Sequence, residues 1–129
     1  MHLLHFIYSL DPETGGLVTA LFSLVQALDQ RGIKNTILTL DDPSADFLNQ
    51  APVEARGLGP SSFGSFGFSL KWDAGLKETL PDSHAAIIHG LWQYHGIGSL
   101  GSLKKAKIPF YVFPHGMLDP RIKRLYPTK

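Results

Sequence analysis

Residues 2–40 read HLLHFIYSLDPETGGLVTALFSLVQALDQRGIKNTILTL, and this stretch decides the fold. Residues 2–8 (HLLHFIY) form an apolar block without clean alternation, the pattern of a central strand covered on both faces. Residues 9–16 (SLDPETGG) are a turn, with Pro12, Gly15 and Gly16 as breakers. From residue 17 to 31 the pattern is helical: Leu17, Leu21, Leu24 and Leu28 make one stripe, widened by Val18 and Val25. Gly32 stands where a left-handed residue closes a helix. Residues 35–40 (NTILTL) are a second strand. Strand, helix and strand at this spacing make a crossover between parallel neighbours.

The same rhythm continues outward. A short helix is predicted over residues 43–50 and a third strand over 53–56, followed by a Gly-, Ser- and Phe-rich loop at 58–70 (LGPSSFGSFGFSL). Residues 71–80 read as a helix that Pro81 stops, and 84–89 (HAAIIH) as a fourth strand. A helix with a Gly-punctuated start follows over 91–107. Residues 109–113 (PFYVF) are a fifth strand ending in Pro114, His115 and Gly116. The predicted class is α/β, a doubly wound Rossmann-like parallel sheet. Its order should be 3-2-1-4-5, because the chain winds outward from strand one and then reverses. The crevice then lies between strands one and four.

Composition narrows the function. At 129 residues the chain fits one domain, and 43% hydrophobic against 18% charged residues is globular. Twelve Lys and Arg against eleven Asp and Glu leave +1, so there is no overall basic field for nucleic acid. The absence of Cys excludes a disulfide scaffold, a thiol nucleophile and a Cys-ligated zinc site. The N-terminus lacks an export signal, and no run reaches the roughly 18 apolar residues of a membrane span. The reading is cytoplasmic, with a peripheral contact to the inner face of a membrane left open.

In an open parallel sheet, ligands bind beyond the carboxyl ends of the strands. Three loops belong there: residues 9–16, 89–95 and 114–120. Gly15 and Gly16 precede a helix, where backbone amides can meet a phosphate and the missing side chain allows close approach. They serve equally as a tight strand-to-helix turn, and neither G-x-G-x-x-G nor a phosphate loop is present. His89, Trp92, Tyr94 and His95 crowd one loop, HGLWQYHG. Its aromatics suit stacking on a ring or capping the core, and its His and Gln suit hydroxyls. His115 follows a buried strand, with Gly116 permitting a sharp turn, and can donate into the crevice or act as a base. Asp119 and Pro120 read as a helix cap.

Six histidines invite a metal. His2 and His5 stand three apart on a strand and point to opposite faces. No H-x-x-x-H and no carboxylate pairing supports convergence of His89, His95 and His115. No metal and no separate cofactor is expected.

Three segments carry a resemblance: Gly15 and Gly16 after the first strand, HGLWQYHG at 89–96, and above all PFYVFPHGMLDP at 109–120. On these the chain resembles the family 4 retaining glycosyltransferases of the GT-B fold. The resemblance implies a truncated GT-B N-terminal, acceptor-side domain over 1–129, with the C-terminal nucleotide-sugar domain absent. Gly15, Gly16, His115 and Gly116 would then contact the donor, with His115 as the catalytic group beside the reacting carbon. His89, Trp92, Tyr94 and His95 would border the acceptor. Partners would be a nucleotide sugar and a glycan or lipid-linked acceptor, without nucleic acid, and the isolated chain would be inactive. The alternative is a non-enzymatic Rossmann-like domain that binds a ligand or partner without turnover. Phe63, Phe66 and Phe68 are expected to meet a bulky acceptor or to pack on the sheet. Arg121, Lys123, Arg124 and Lys129 are expected to lie in solvent or to hold an anionic surface. An uncovered edge beside Phe110 and Val112 predicts a homodimer.

Overall fold

The computed structural model describes residues 1–14, 16–59, 70–89 and 99–113. Its strands are β1 (His2–Ile7), β2 (Lys34–Thr39), β3 (Glu54–Gly57), β4 (Ala85–His89) and β5 (Phe110–Phe113). They form one sheet in the order β3-β2-β1-β4-β5, with every neighbouring pair parallel. The fold is Rossmann-like α/β, as the sequence predicts. The order reverses between β1 and β4.

Burial follows position in the sheet. All of β4 is buried, as are all residues of β1 but Leu3 and all of β2 but Lys34. The outer strands β3 and β5 are largely exposed or half-buried. Central strands meet helices on both faces, which is why their residues are apolar without alternating. On one face, α1 (Gly16–Gln30) lays Val18, Leu21 and Val25 with Ile7, Ile37 and Leu48. On the other, Trp72 and Leu76 of α2 (Leu70–Thr79) and Leu103 of α3 (Leu100–Lys105) cover Leu4, Phe6, Leu38 and Ile88. Trp72 is fully buried; its Nε1–H donates to Ser99 Oγ at 2.7 Å, and its ring meets Phe6 edge-on at 5.3 Å.

The amino-terminal edge of the sheet is fastened by His2. Its Nδ1–H donates to the carbonyl of Asp82 at 3.0 Å, its Nε2 meets Thr36 Oγ1 at 2.8 Å, and its backbone N–H donates to His84 Nδ1. One residue thus ties β1 to β2 and to the turn before β4.

Two local readings change. The apolar arc of α1 turns so that Val18, Leu21 and Val25 are buried, while Leu17, Leu24 and Leu28 are half-buried. Both stripes belong to one broad apolar arc, and packing against Ile7 and Ile37 chooses its centre. The helix expected over 43–50 is instead a 3-10 turn, Asp46–Gln50. Asp42 accepts from the Ser44 N–H and hydroxyl, and Pro52 favours extended backbone at Ala51. Too few residues remain between them to nucleate an α-helix. Of the helix expected over 91–107, the described residues contain Leu100–Lys105; residues 90–98 lie outside them, as do Phe63, Phe66, Phe68 and residues 114–129.

The end of α1 is as expected. Gly32 has φ +82°, and the Ile33 and Gly32 amides donate to the carbonyls of Leu28 and Asp29, the bond pattern of a left-handed helix stop. Gly57 closes β3 for a different reason. A Cβ there would lie 2.5 Å from the Asp41 carbonyl oxygen, so only glycine lets the two chains approach.

Candidate functional site

The reversal between β1 and β4 puts the end of β1, the loop after it and His89 at one carboxyl edge. Among the described residues, that edge is built by three devices. The first holds the β1–α1 loop. Ser9 Oγ donates to Asp41 Oδ1 at 2.6 Å, the Leu10 N–H donates to Asp41 Oδ2 at 2.8 Å, and the Asp11 N–H donates to Ser9 Oγ at 3.0 Å. Leu10 is 1% exposed and anchors the loop in the α1-side core. In dinucleotide folds an acidic residue after the second strand holds a ribose. Asp41 instead spends both oxygens on the loop. Sequence reasoning passed it over, although an Asp directly after a strand that ends beside the first loop is the available signal.

The second device is the start of α1. Gly16 is its first residue, and a Cβ added there would meet nothing within 4 Å among the described residues. Neither a positive φ nor a close neighbour requires glycine at this position. Among the described residues the space beside it is open, at the end of a 15-residue helix whose first amides have no partner within the helix.

The third device is a buried histidine pair. His89, the last residue of β4, is 1% exposed, and His5 in β1 is fully buried. Nδ1 of His5 lies 3.1 Å from Nε2 of His89, and Nε2 of His5 lies 2.9 Å from Asn35 Oδ1. The two rings stack at 5.4 Å between centroids, and Phe113 at the end of β5 meets His89 edge-on at 5.6 Å. Burial pushes the His5 pKa below its ordinary value, against the smaller opposing effect of its bond to Asn35. His5 is therefore neutral at pH 7. The sequence singles out His89 but gives His5 no functional role, because only the parallel register reveals that residues 5, 35 and 89 meet.

Of the sequence-derived site residues, Gly16 and His89 fall within the described structure, at the amino end of α1 and the carboxyl end of β4. Gly15, Trp92, Tyr94, His95, His115 and Gly116 lie outside the described residues. His2 and His5 take opposite faces of the sheet, with Thr36 and Asn35 as their respective partners. Among the described residues, no three His, Asp or Glu side chains cluster as metal ligands. No helix among them is long and apolar enough to cross a membrane. A cavity of about 410 Å³ lies elsewhere, between the carboxyl ends of α2 and α3, lined by Lys77, Leu80, Ser102 and Lys105 among others. It opens at the amino-terminal edge of the sheet, opposite the ligand-binding edge of this fold class.

The model of Glycosyltransferase Family 4 matches residues 14–129. The chain belongs to that family. The match takes in α1, all strands after β1, and the segments that follow β4 and β5. No curated protein matches the chain, and no solved structure does.

Proposed function

We propose that this family 4 domain is the acceptor-side part of a glycosyltransferase that moves a sugar from a nucleotide-sugar donor to a glycan or lipid-linked acceptor with retention of configuration. The observation that carries the reading is the family match over residues 14–129, joined to a sheet whose reversal point has an open glycine on one side and a histidine on the other. Gly15 and Gly16 take the donor diphosphate on backbone amides at the positive end of α1. His115 and Gly116, after β5, meet the donor sugar. His89, Trp92, Tyr94 and His95 border the acceptor. The chemistry needs no metal and no cofactor besides the donor. It proceeds in the cytoplasm, with a peripheral membrane contact where the acceptor is lipid-linked.

The bond between the anomeric carbon and the diphosphate breaks, the acceptor hydroxyl oxygen bonds the same carbon, and the hydroxyl proton passes to the departing diphosphate. A hydrogen bond from His115 to the donor sugar strengthens as charge develops. Most of the donor's nucleotide is bound by a second domain outside these residues, and that binding positions the reacting carbon.

The test is donor-dependent turnover. The 129-residue chain alone transfers no sugar. In a chain that carries both domains, His115→Ala lowers kcat by about 10²–10³, and Gly16→Val raises the donor KM by obstructing the diphosphate. Near-wild-type turnover by His115→Ala, or transfer by the 129 residues alone, overturns this assignment.

A further inference from the structure

Asp41 stands just past the end of β2, and its main chain is held from several directions. Its N–H donates to Thr39 Oγ1 at 3.0 Å, and its carbonyl accepts from the Gly59 N–H at 2.9 Å. Beside it, the Leu40 N–H donates to the Tyr8 carbonyl at 3.1 Å. The end of β3 comes so near that Gly57 has no room for a Cβ against the Asp41 carbonyl. A fixed stretch of backbone therefore carries the carboxylate. Its two oxygens hold Ser9 and Leu10 at 2.6 and 2.8 Å, and bonds from a donor to an ionised acceptor are the strong kind. The hold then passes along the loop. Ser9 Oγ accepts the Asp11 N–H at 3.0 Å, and Asp11 Oδ1 accepts the Glu13 N–H at 2.9 Å. Glu13 lies in the 3-10 turn Pro12–Thr14, which leads to α1.

We propose that Asp41 is a positioning residue for the donor: it orders the β1–α1 loop in advance, so that the amides at the far end of the loop meet the diphosphate already in place. The inference rests on the reading that Gly15 and Gly16 take that diphosphate. A loop that must become ordered on binding costs affinity, and a loop ordered beforehand does not. The charge of Asp41 takes no part in this role. Near an incoming diphosphate a carboxylate is unfavourable; what the loop needs from Asp41 is an acceptor for the Leu10 N–H and a partner for the Ser9 hydroxyl.

The test titrates inorganic pyrophosphate into the ¹⁵N-labelled 129-residue chain and reads the amide shifts of Gly16 and its neighbours. In the wild type those shifts saturate. Asp41→Ala raises the pyrophosphate Kd about tenfold, the scale of one net hydrogen bond. Asp41→Asn keeps an oxygen for the Leu10 N–H and offers Nδ2–H to Ser9 Oγ, so its Kd equals or falls below that of the wild type. Ser9→Ala weakens binding as well, and combining it with Asp41→Ala adds little, because both act through one loop. A merely structural role would lower the melting temperature and leave the Kd alone, since only folded molecules give the amide signal. An unchanged Kd in folded Asp41→Ala, or equal weakening by Asp41→Asn, overturns the positioning role and leaves the donor reading standing. Should Asp41→Ala fail to fold, the Kd of Ser9→Ala decides in its place. An absence of shifts at Gly16 in the wild type removes the diphosphate reading itself, and this inference with it.

Discussion

A neutral histidine in the middle of a sheet couples stability to pH in one direction. The His5 pKa lies below the ordinary 6.5 because burial penalises its cation. The unfolded chain takes up the proton near 6.5, and the folded chain does so only at lower pH. Stability from this residue is therefore complete above about pH 7.5 and is lost as pH falls through 6.5 toward the folded pKa, at up to about 1.4 kcal/mol per pH unit. Denaturant titrations at pH 7.5 and 5.5 measure it. His5→Gln, which cannot take the proton, should show a smaller loss between the two pH values. Equal losses in both proteins would mean that His5 is not held neutral.

At the level of elements, α1 and α3 stop in the same turn on different residues. Just past α1 stands Gly32, and just past α3 stands Lys107, a non-glycine residue at φ +58°. The surrounding bonds are alike: the Ile108 and Lys107 amides donate to the carbonyls of Leu103 and Lys104. The Cβ of Lys107 carries the cost of a left-handed residue. Lys107→Gly should stabilise the domain by about 1 kcal/mol, readable as a raised denaturation midpoint. No change would show that the strain is already relieved. Gly32 was legible because glycine announces its turn, and Lys107 was not, because nothing in a lysine announces one. The same contrast runs through the fold. The strand order followed from apolar blocks separated by helix-length segments, and His89 stood out beside aromatics and glycines. The fine choices were illegible. Which arc of α1 is buried depends on Ile7 and Ile37 across the sheet, and the bond between His5 and His89 depends on register. The role of Asp41 depends on Ser9 and Leu10 closing on it from the loop after β1.

For the whole molecule, the sheet has one half-covered side. Tyr111, Val112 and Phe113 are 59%, 42% and 39% exposed, and among the described residues β5 pairs only with β4. An exposed apolar edge strand offers unpaired backbone to a second copy. Sedimentation velocity should show reversible association as concentration rises, and Val112→Lys should weaken it. A single monomeric species over the whole range would count against the edge as a contact.

The central place of β1 also sets an order of events during synthesis. Strand β1 is paired on both sides in the finished sheet, with β2 in the residues that follow closely and with β4 much later in the chain. Residues 1–40 can close their own crossover while the ribosome is still adding the rest, but the slot on the other flank of β1 stays vacant until Ala85–His89 has emerged. Pairing across so long a stretch forms late, because loop closure must be met before the contact repays it. The nascent chain therefore passes through a stage with His5, Leu4 and Phe6 lining an unfilled seam, open to chaperones or to a strand from a neighbouring chain. The seam that joins the most distant stretches of chain is the one along which the sheet reverses.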